Sequence, residues 1–222
     1  MTAPVIAIDG PSGSGKGTIA RRVAEALGFH LLDSGALYRL TAISAKNNDI
    51  ELTDAAAVAN IARNLAVRFD SKEDGSERIW LGDADVTREV RMESTGAGAS
   101  AVAAIPEVRE ALLERQRAFA RAPGLVADGR DMGTHVFPSA LVKIFLTASA
   151  EERARRRHKQ LIDKGMDVTL AALSRDIEDR DRRDSERSVA PLKPAKDARI
   201  LDSSGQSIEA VTQTVLDWVR DL

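Results

Sequence analysis

The sequence predicts an α/β fold: a parallel five-stranded sheet flanked by helices, with an inserted segment that carries a small antiparallel sheet. Three observations predict it. At the N-terminus an apolar run, a glycine-rich turn and a helical pattern follow one another, which is the opening of a βαβ unit. Four more short apolar runs recur between helical stretches, as strands buried on both faces do. A central stretch instead alternates in polarity, as a sheet with one wet face does.

The elements run in order as follows. Pro4–Ile8 reads as the first strand, and the turn Gly10–Gly15 leads into a helix with Ile19, Val23, Ala26 and Leu27 on one face and Gly28 as C-cap. Phe29–Leu32, Leu125–Ala127, Leu141–Leu146 and Ala198–Leu201 are the other core strands. Leu65–Asp70 and Glu77–Leu81 form the alternating pair, with Asp74-Gly75-Ser76 as the turn between them. Residues 36–104 are expected to be the insertion, and residues 1–35 with 105–222 the core. Ser149 and Glu152 make a capping box for a charged helix that breaks near Gly165, and a second helix spans about Val168 to Arg183. Ile208, Val211, Val215 and Trp218 give the last helix its apolar stripe.

Composition narrows the function classes. The 222 residues are 43% hydrophobic and 30% charged, which suits one globular domain with an insertion. With no cysteine, neither disulfides nor thiolate metal sites hold the fold. The net charge of -2 gives no reason to expect a polyanion or a membrane surface as partner. The arginine-rich stretch from Glu151 to Arg187 holds 11 Lys or Arg against 10 Asp or Glu, too balanced for a nucleic-acid stripe. His30, His135 and His158 are scattered without metal spacing. The N-terminus lacks the basic flank and long apolar run of a signal peptide, and a cytoplasmic monomer is expected.

Gly10-Pro11-Ser12-Gly13-Ser14-Gly15-Lys16-Gly17-Thr18 fits the GxxxxGK core of a phosphate-binding loop. Its glycines let successive backbone N–H groups turn inward on phosphates, and the helix N-terminus adds partial positive charge. Lys16 is expected to face solvent in the empty loop and to reach the β- and γ-phosphates of a nucleotide. The residue after the lysine is Gly17 where the general pattern has Ser or Thr, so a direct hydroxyl–metal bond from Thr18 stays open. Asp9, just before the loop, is expected to bond backbone or Lys16 rather than act as a base.

Three more strings stand out: Leu32–Arg39, Ala127–Thr134 and Arg180–Pro191. With Ile8–Gly13 they closely resemble the bacterial cytidylate kinases over essentially the whole chain. The resemblance implies phosphorylation of CMP and dCMP by ATP with Mg²⁺, on a P-loop kinase core with an inserted monophosphate-binding domain and a short helical lid at about 155–180. It implies that Lys16, Arg130, Arg187 and Asp128 serve the transfer, with Asp128 holding Mg²⁺ through water. It implies Ser34, Arg39, Arg130, Arg180 and Asp184 as ligands of the acceptor's phosphate and sugar, and Ser100, Arg109 and Asp131 as readers of cytosine. From the residues alone, Arg180, Asp184 and Arg187 fall at i, i+4 and i+7, one face of a helix that continues that far. A kinase for another monophosphate, a shikimate-type kinase and a non-catalytic nucleotide sensor are the competing readings.

Overall fold

The computed structural model describes residues 3–71, 77–163, 165 and 167–221. In chain order the elements are β1 (Val5–Asp9), α1 (Lys16–Leu27), β2 (His30–Asp33), α2 (Ser34–Asn47), α3 (Ala55–Arg63), β3 (Val67–Ser71), β4 (Glu77–Leu81), β5 (Ala84–Asp85), α4 (Glu93–Val102), α5 (Pro106–Arg117), β6 (Leu125–Gly129), β7 (Val142–Thr147), α6 (Ala150–Ile162), α7 (Leu170–Ser185), β8 (Arg199–Asp202) and α8 (Ile208–Arg220). They fall into two compact units, Met1–Asp33 with Gln116–Leu222, and Ser34–Arg115.

The first unit holds a parallel sheet in the order β2-β6-β1-β7-β8. β1 is central, paired in parallel with β6 and β7, and every one of its residues is buried. Chain progress reverses across the sheet beside β1, and the carboxyl ends of strands at such a reversal form a crevice. Ile6, Ile8, Val126, Ile144 and Leu146 from the sheet pack with Ile19 and Val23 of α1 and Val211 and Val215 of α8. Burying that surface is the main force holding the layers together. The apolar face of α1 is Ile19, Ala20, Val23 and Ala24, whereas Ala26, expected on it, is exposed. Gly28 caps α1 with a φ of 65°. The α8 stripe centres on Val211, Val215 and Leu216, which leaves Ile208 exposed and Trp218 half-buried under the Arg199 guanidinium, 5.3 Å from its ring.

Ser149 Oγ accepts from Glu152 N at 3.1 Å and starts α6 as expected. The reciprocal half of the box is absent, because Glu152 pairs with Arg156 at 2.9 Å and Ser149 N donates to Ser204 Oγ. α7 stops at Ser185, so Arg187 lies beyond the helix and not on its continued face.

In the second unit, β3, β4 and β5 form an antiparallel sheet in that order. The expected turn at Asp74–Ser76 lies outside the described residues. Ile79 turns inward, while Trp80 on the opposite face sits between Arg68 and Arg78, 5.0 and 5.5 Å from their guanidinium carbons. Asp54 caps α3 by accepting from Ala57 N at 3.0 Å. α2 packs along α4, close enough that a Cβ on Gly98 would stand 3.1 Å from that of Ala42.

Candidate active site

The loop between β1 and α1 is a local consequence of its composition. Gly15 stands at the head of α1 with φ 90°, a conformation that costs a side-chain-bearing residue energy, and no side chain caps the helix. The helix's first N–H groups therefore have no side-chain acceptor, as an anion site requires.

Lys16 is not solvent-facing as expected. It is 8% exposed, and its Nζ donates to Pro11 O at 3.1 Å. Burial, followed by the Arg130 charge, lowers its pKa from 10.5 to about 8. The cause is position: Lys16 is the first residue of α1, and its ammonium turns back onto the loop carbonyl of Pro11.

Asp128, near the end of β6, is also buried. Burial raises its pKa to about 7, against the pull of Lys16. Its Oδ1 is buried with no hydrogen-bond partner among the described residues, where a buried carboxylate oxygen ordinarily has one. A Cβ on Gly17 would stand 3.1 Å from Asp128 Oδ2, which is a physical reason for glycine where the general pattern has a hydroxyl residue. A carboxylate with one oxygen beside the phosphate loop and the other without a hydrogen-bond partner among the described residues fits a hard divalent cation. Thr18 is exposed at the start of α1.

Asp9 takes the backbone role expected of it. Its carboxylate accepts from Met132 N and Gly133 N, each at 2.8 Å. These amides open a single π-helical turn, Met132–Val136, directly after Asp131, which is 3% exposed. Burial raises the Asp9 pKa to about 6, partly offset by those two bonds.

Arg130 donates through Nε to Asp184 Oδ2 at 2.9 Å. Burial opposes its charge, but Asp184 and Asp128 hold its pKa above the usual arginine value. Arg187, although off the helix, stays by Asp184: Nε donates to Asp184 O at 3.2 Å and Nη2 lies 3.2 Å from Oδ1. Arg180 is half-buried on α7. Lys16, Asp128, Arg130 and Asp184 are thus near enough to act on one another's charge.

In the second unit, Ser34 is buried at the head of α2. Arg39 donates through Nη1 to Val90 O at 3.0 Å and Met92 O at 3.2 Å. Arg109 is 4% exposed on α5, its guanidinium 5.8 Å from the Tyr38 ring and bonded to Ala103 O at 3.4 Å. Ser100 Oγ is buried without a hydrogen-bond partner among the described residues.

Two openings accompany these groups. One of about 370 Å³ lies beside the loop, lined by Ser14, Gly15, Thr18, Arg156 and Ser203 among others. Arg156 is held there by Ser203, through Oγ at 3.0 Å and O at 2.6 Å. A larger one, about 440 Å³ in the second unit, is lined by Ala42, Lys46, Met92 and Gly98, and by none of the sequence-predicted site residues. Sequence reasoning missed Arg153 and Arg156 as individuals. Nothing local separates buried Arg153 from exposed Arg155.

A lysine and an uncapped glycine loop at the head of the first helix, facing a buried aspartate from the neighbouring strand, can bind and polarise the phosphates of a nucleotide. By fold and site the chain is a P-loop kinase. A model of the cytidylate kinase family matches residues 6–221. A cytidylate kinase of Pseudomonas paraeruginosa is 60% identical over 214 residues, covering 96% of this chain and 93% of that one. One from Ralstonia pickettii is 56% identical over 222 residues, covering 100% and 94%. Among solved structures, an uncharacterized protein from Eubacterium ventriosum matches with a TM-score of 0.50 at 13% identity over 99% of both chains, a likeness of fold alone. The chain belongs to the cytidylate kinase family.

Proposed function

We propose that the chain transfers the γ-phosphoryl group of ATP to the phosphate of CMP or dCMP, giving ADP and CDP or dCDP. The observation that carries this reading, beside family membership, is buried Lys16 at an uncapped helix N-terminus, within electrostatic reach of Asp128, whose Oδ1 has no hydrogen-bond partner among the described residues. Burial lowers the Lys16 pKa to about 8 and raises that of Asp128 to about 7. Lys16 keeps its proton at neutral pH, and its charge follows the β- and γ-oxygens as negative charge shifts between them. Asp128 would hold a Mg²⁺ ion through water, and the ion would neutralise phosphate oxygens during transfer. Thr18 serves the phosphates from the first turn of α1. The opening beside Arg156 and Ser203 receives the nucleoside of ATP.

On the acceptor side, Arg130 and Arg187 present planar guanidinium groups to the phosphate, as two-point recognition requires. Arg39 and Ser34 are further ligands of that phosphate, and Arg180 and Asp184 take the sugar. Ser100, Arg109 and Asp131 read cytosine: an arginine donates to its N3 and an ionised aspartate accepts from its 4-amino group. Residues 34–115 form the acceptor-binding unit, and about 155–180 the lid whose closure excludes water.

The test is a coupled assay of ADP release over CMP, dCMP, UMP, dTMP, AMP and shikimate. Strong turnover with CMP and dCMP is expected. Turnover confined to another acceptor, or none with any, overturns the reading.

A further inference from the structure

We infer that Arg153 is a positioning residue for phosphoryl transfer, a clamp that ties the phosphate loop to helix α7; this rests on the function proposed above. Arg153 lies in the first turn of α6, where the helix dipole disfavours a cation, and yet it is only 4% exposed. Such a placement requires compensation, and the guanidinium obtains it from three directions. Its Nε donates to Ala148 O at 3.0 Å, at the end of β7. Nη1 donates to Ser12 O in the loop at 3.0 Å. Nη1 and Nη2 fork onto the Asp181 carboxylate of α7 at 3.1 and 2.6 Å. The loop also lies on the arginine's stem, since a Cβ on Gly13 would stand 3.2 Å from Arg153 Cβ.

The other end of each tie is a group with a task. Asp181 and Asp184 are three apart on α7, so they share a face of the helix. Asp184 is fixed to Arg130, and Arg187 is held to Asp184. α7 is therefore anchored at two points, one to the loop that carries Lys16 and one to the end of β6 that carries Asp128. Two anchors on one face set the rotation of the helix, and with it the distance from Arg187 to the phosphate over Lys16. A lysine at position 153 keeps the charge but has no planar fork to hold loop, strand end and helix together.

The test compares Arg153→Lys, Asp181→Asn and the double variant with wild type, measuring kcat and KM for CMP and ATP, the ATP dissociation constant and Tm. Misplacement of reacting groups by about 1 Å can cost ~10²-fold in rate. A fall in kcat of that order is expected in each single variant, with KM for CMP moving only a few-fold. The double variant is expected to fall no further than the worse single one, because both changes break one clamp. Asp181 is half-buried and its replacement near-isosteric, so it reads the clamp even where Arg153→Lys folds poorly. Wild-type kcat in both singles with only a lowered Tm, or full additivity in the double, overturns the inference and leaves a structural ion pair. A wild type that binds ATP but is inactive on CMP sinks the functional reading instead.

Discussion

Replacing Asp9 with asparagine should change how stability depends on pH by an amount the structure allows to be worked out. Burial raises the Asp9 carboxyl from 3.8 to about 6, despite the two amide bonds from Met132 and Gly133. A folded-state pKa above the unfolded one means the native state binds the proton more tightly. Its stabilisation is therefore complete below about pH 4 and lost as pH rises through about 6. Integrated between pH 7 and pH 5, the wild type should gain about 1.3 kcal/mol relative to Asp9→Asn. For a chain of this size that is about 3–5 °C in Tm. Asp128 adds in the same direction, since the Asp9 charge helps to raise its pKa and the variant lacks that push. The assay is urea unfolding of both proteins at pH 7, 6 and 5, accepting midpoints where the m values match. The reading is the slope of the difference with pH, whatever the offset from the amide replacing an acceptor at Gly133 or Met132. A difference constant to within about 0.3 kcal/mol across that range, or one of opposite sign, would show that the carboxyl titrates at its ordinary value and refute the argument.

Other expectations concern the reaction itself. Lys16→Met, which fills the space of the buried lysine, should lower kcat by at least ~10³-fold in a coupled ADP assay while circular dichroism shows the fold retained; near-wild-type turnover at saturating ATP would remove the loop from the mechanism. Arg187→Ala should reduce kcat by ~10³-fold or more with a smaller rise in KM for CMP, and a change confined to KM would move the residue to ground-state binding. Wild-type kcat/KM should favour CMP over UMP by up to ~10⁴-fold, because uracil's N3–H meets an arginine donor and its 4-oxo group meets a carboxylate. Arg109→Met and Asp131→Ala should each narrow that ratio, mainly by losing CMP, and Ser100→Ala should narrow it less. An unchanged ratio in both larger substitutions would end the base-reading scheme.

By itself the sequence determined what is local or periodic. The phosphate loop was legible because strand, glycines, lysine and helix are contiguous, so composition and spacing specify the local turn and the helix start it feeds. The short apolar runs declared a buried sheet, and alternation in the middle declared the antiparallel pair, since periods of side-chain direction survive in the linear order. The Ser149 cap was legible for the same reason, its acceptor and donor being three residues apart. Tertiary structure alone decided what depends on residues distant in the chain. Strand order brought Asp9 against the amides of Met132 and Gly133, more than 120 residues away. The same packing buried Lys16, which looks like a solvated loop lysine in sequence, and placed Asp128 against Gly17 so that a hydroxyl residue would crowd it. Whether α7 would run on to Arg187 was not written in its spacing, and the helix ends at Ser185. Arg153 and Arg155 are indistinguishable as letters in an arginine run; only the sheet end, the loop and Asp181 converging on one of them make it a buried clamp and leave the other in water. Desolvation and long-range hydrogen bonding are properties of what surrounds a side chain, and those surroundings exist only after the chain has folded.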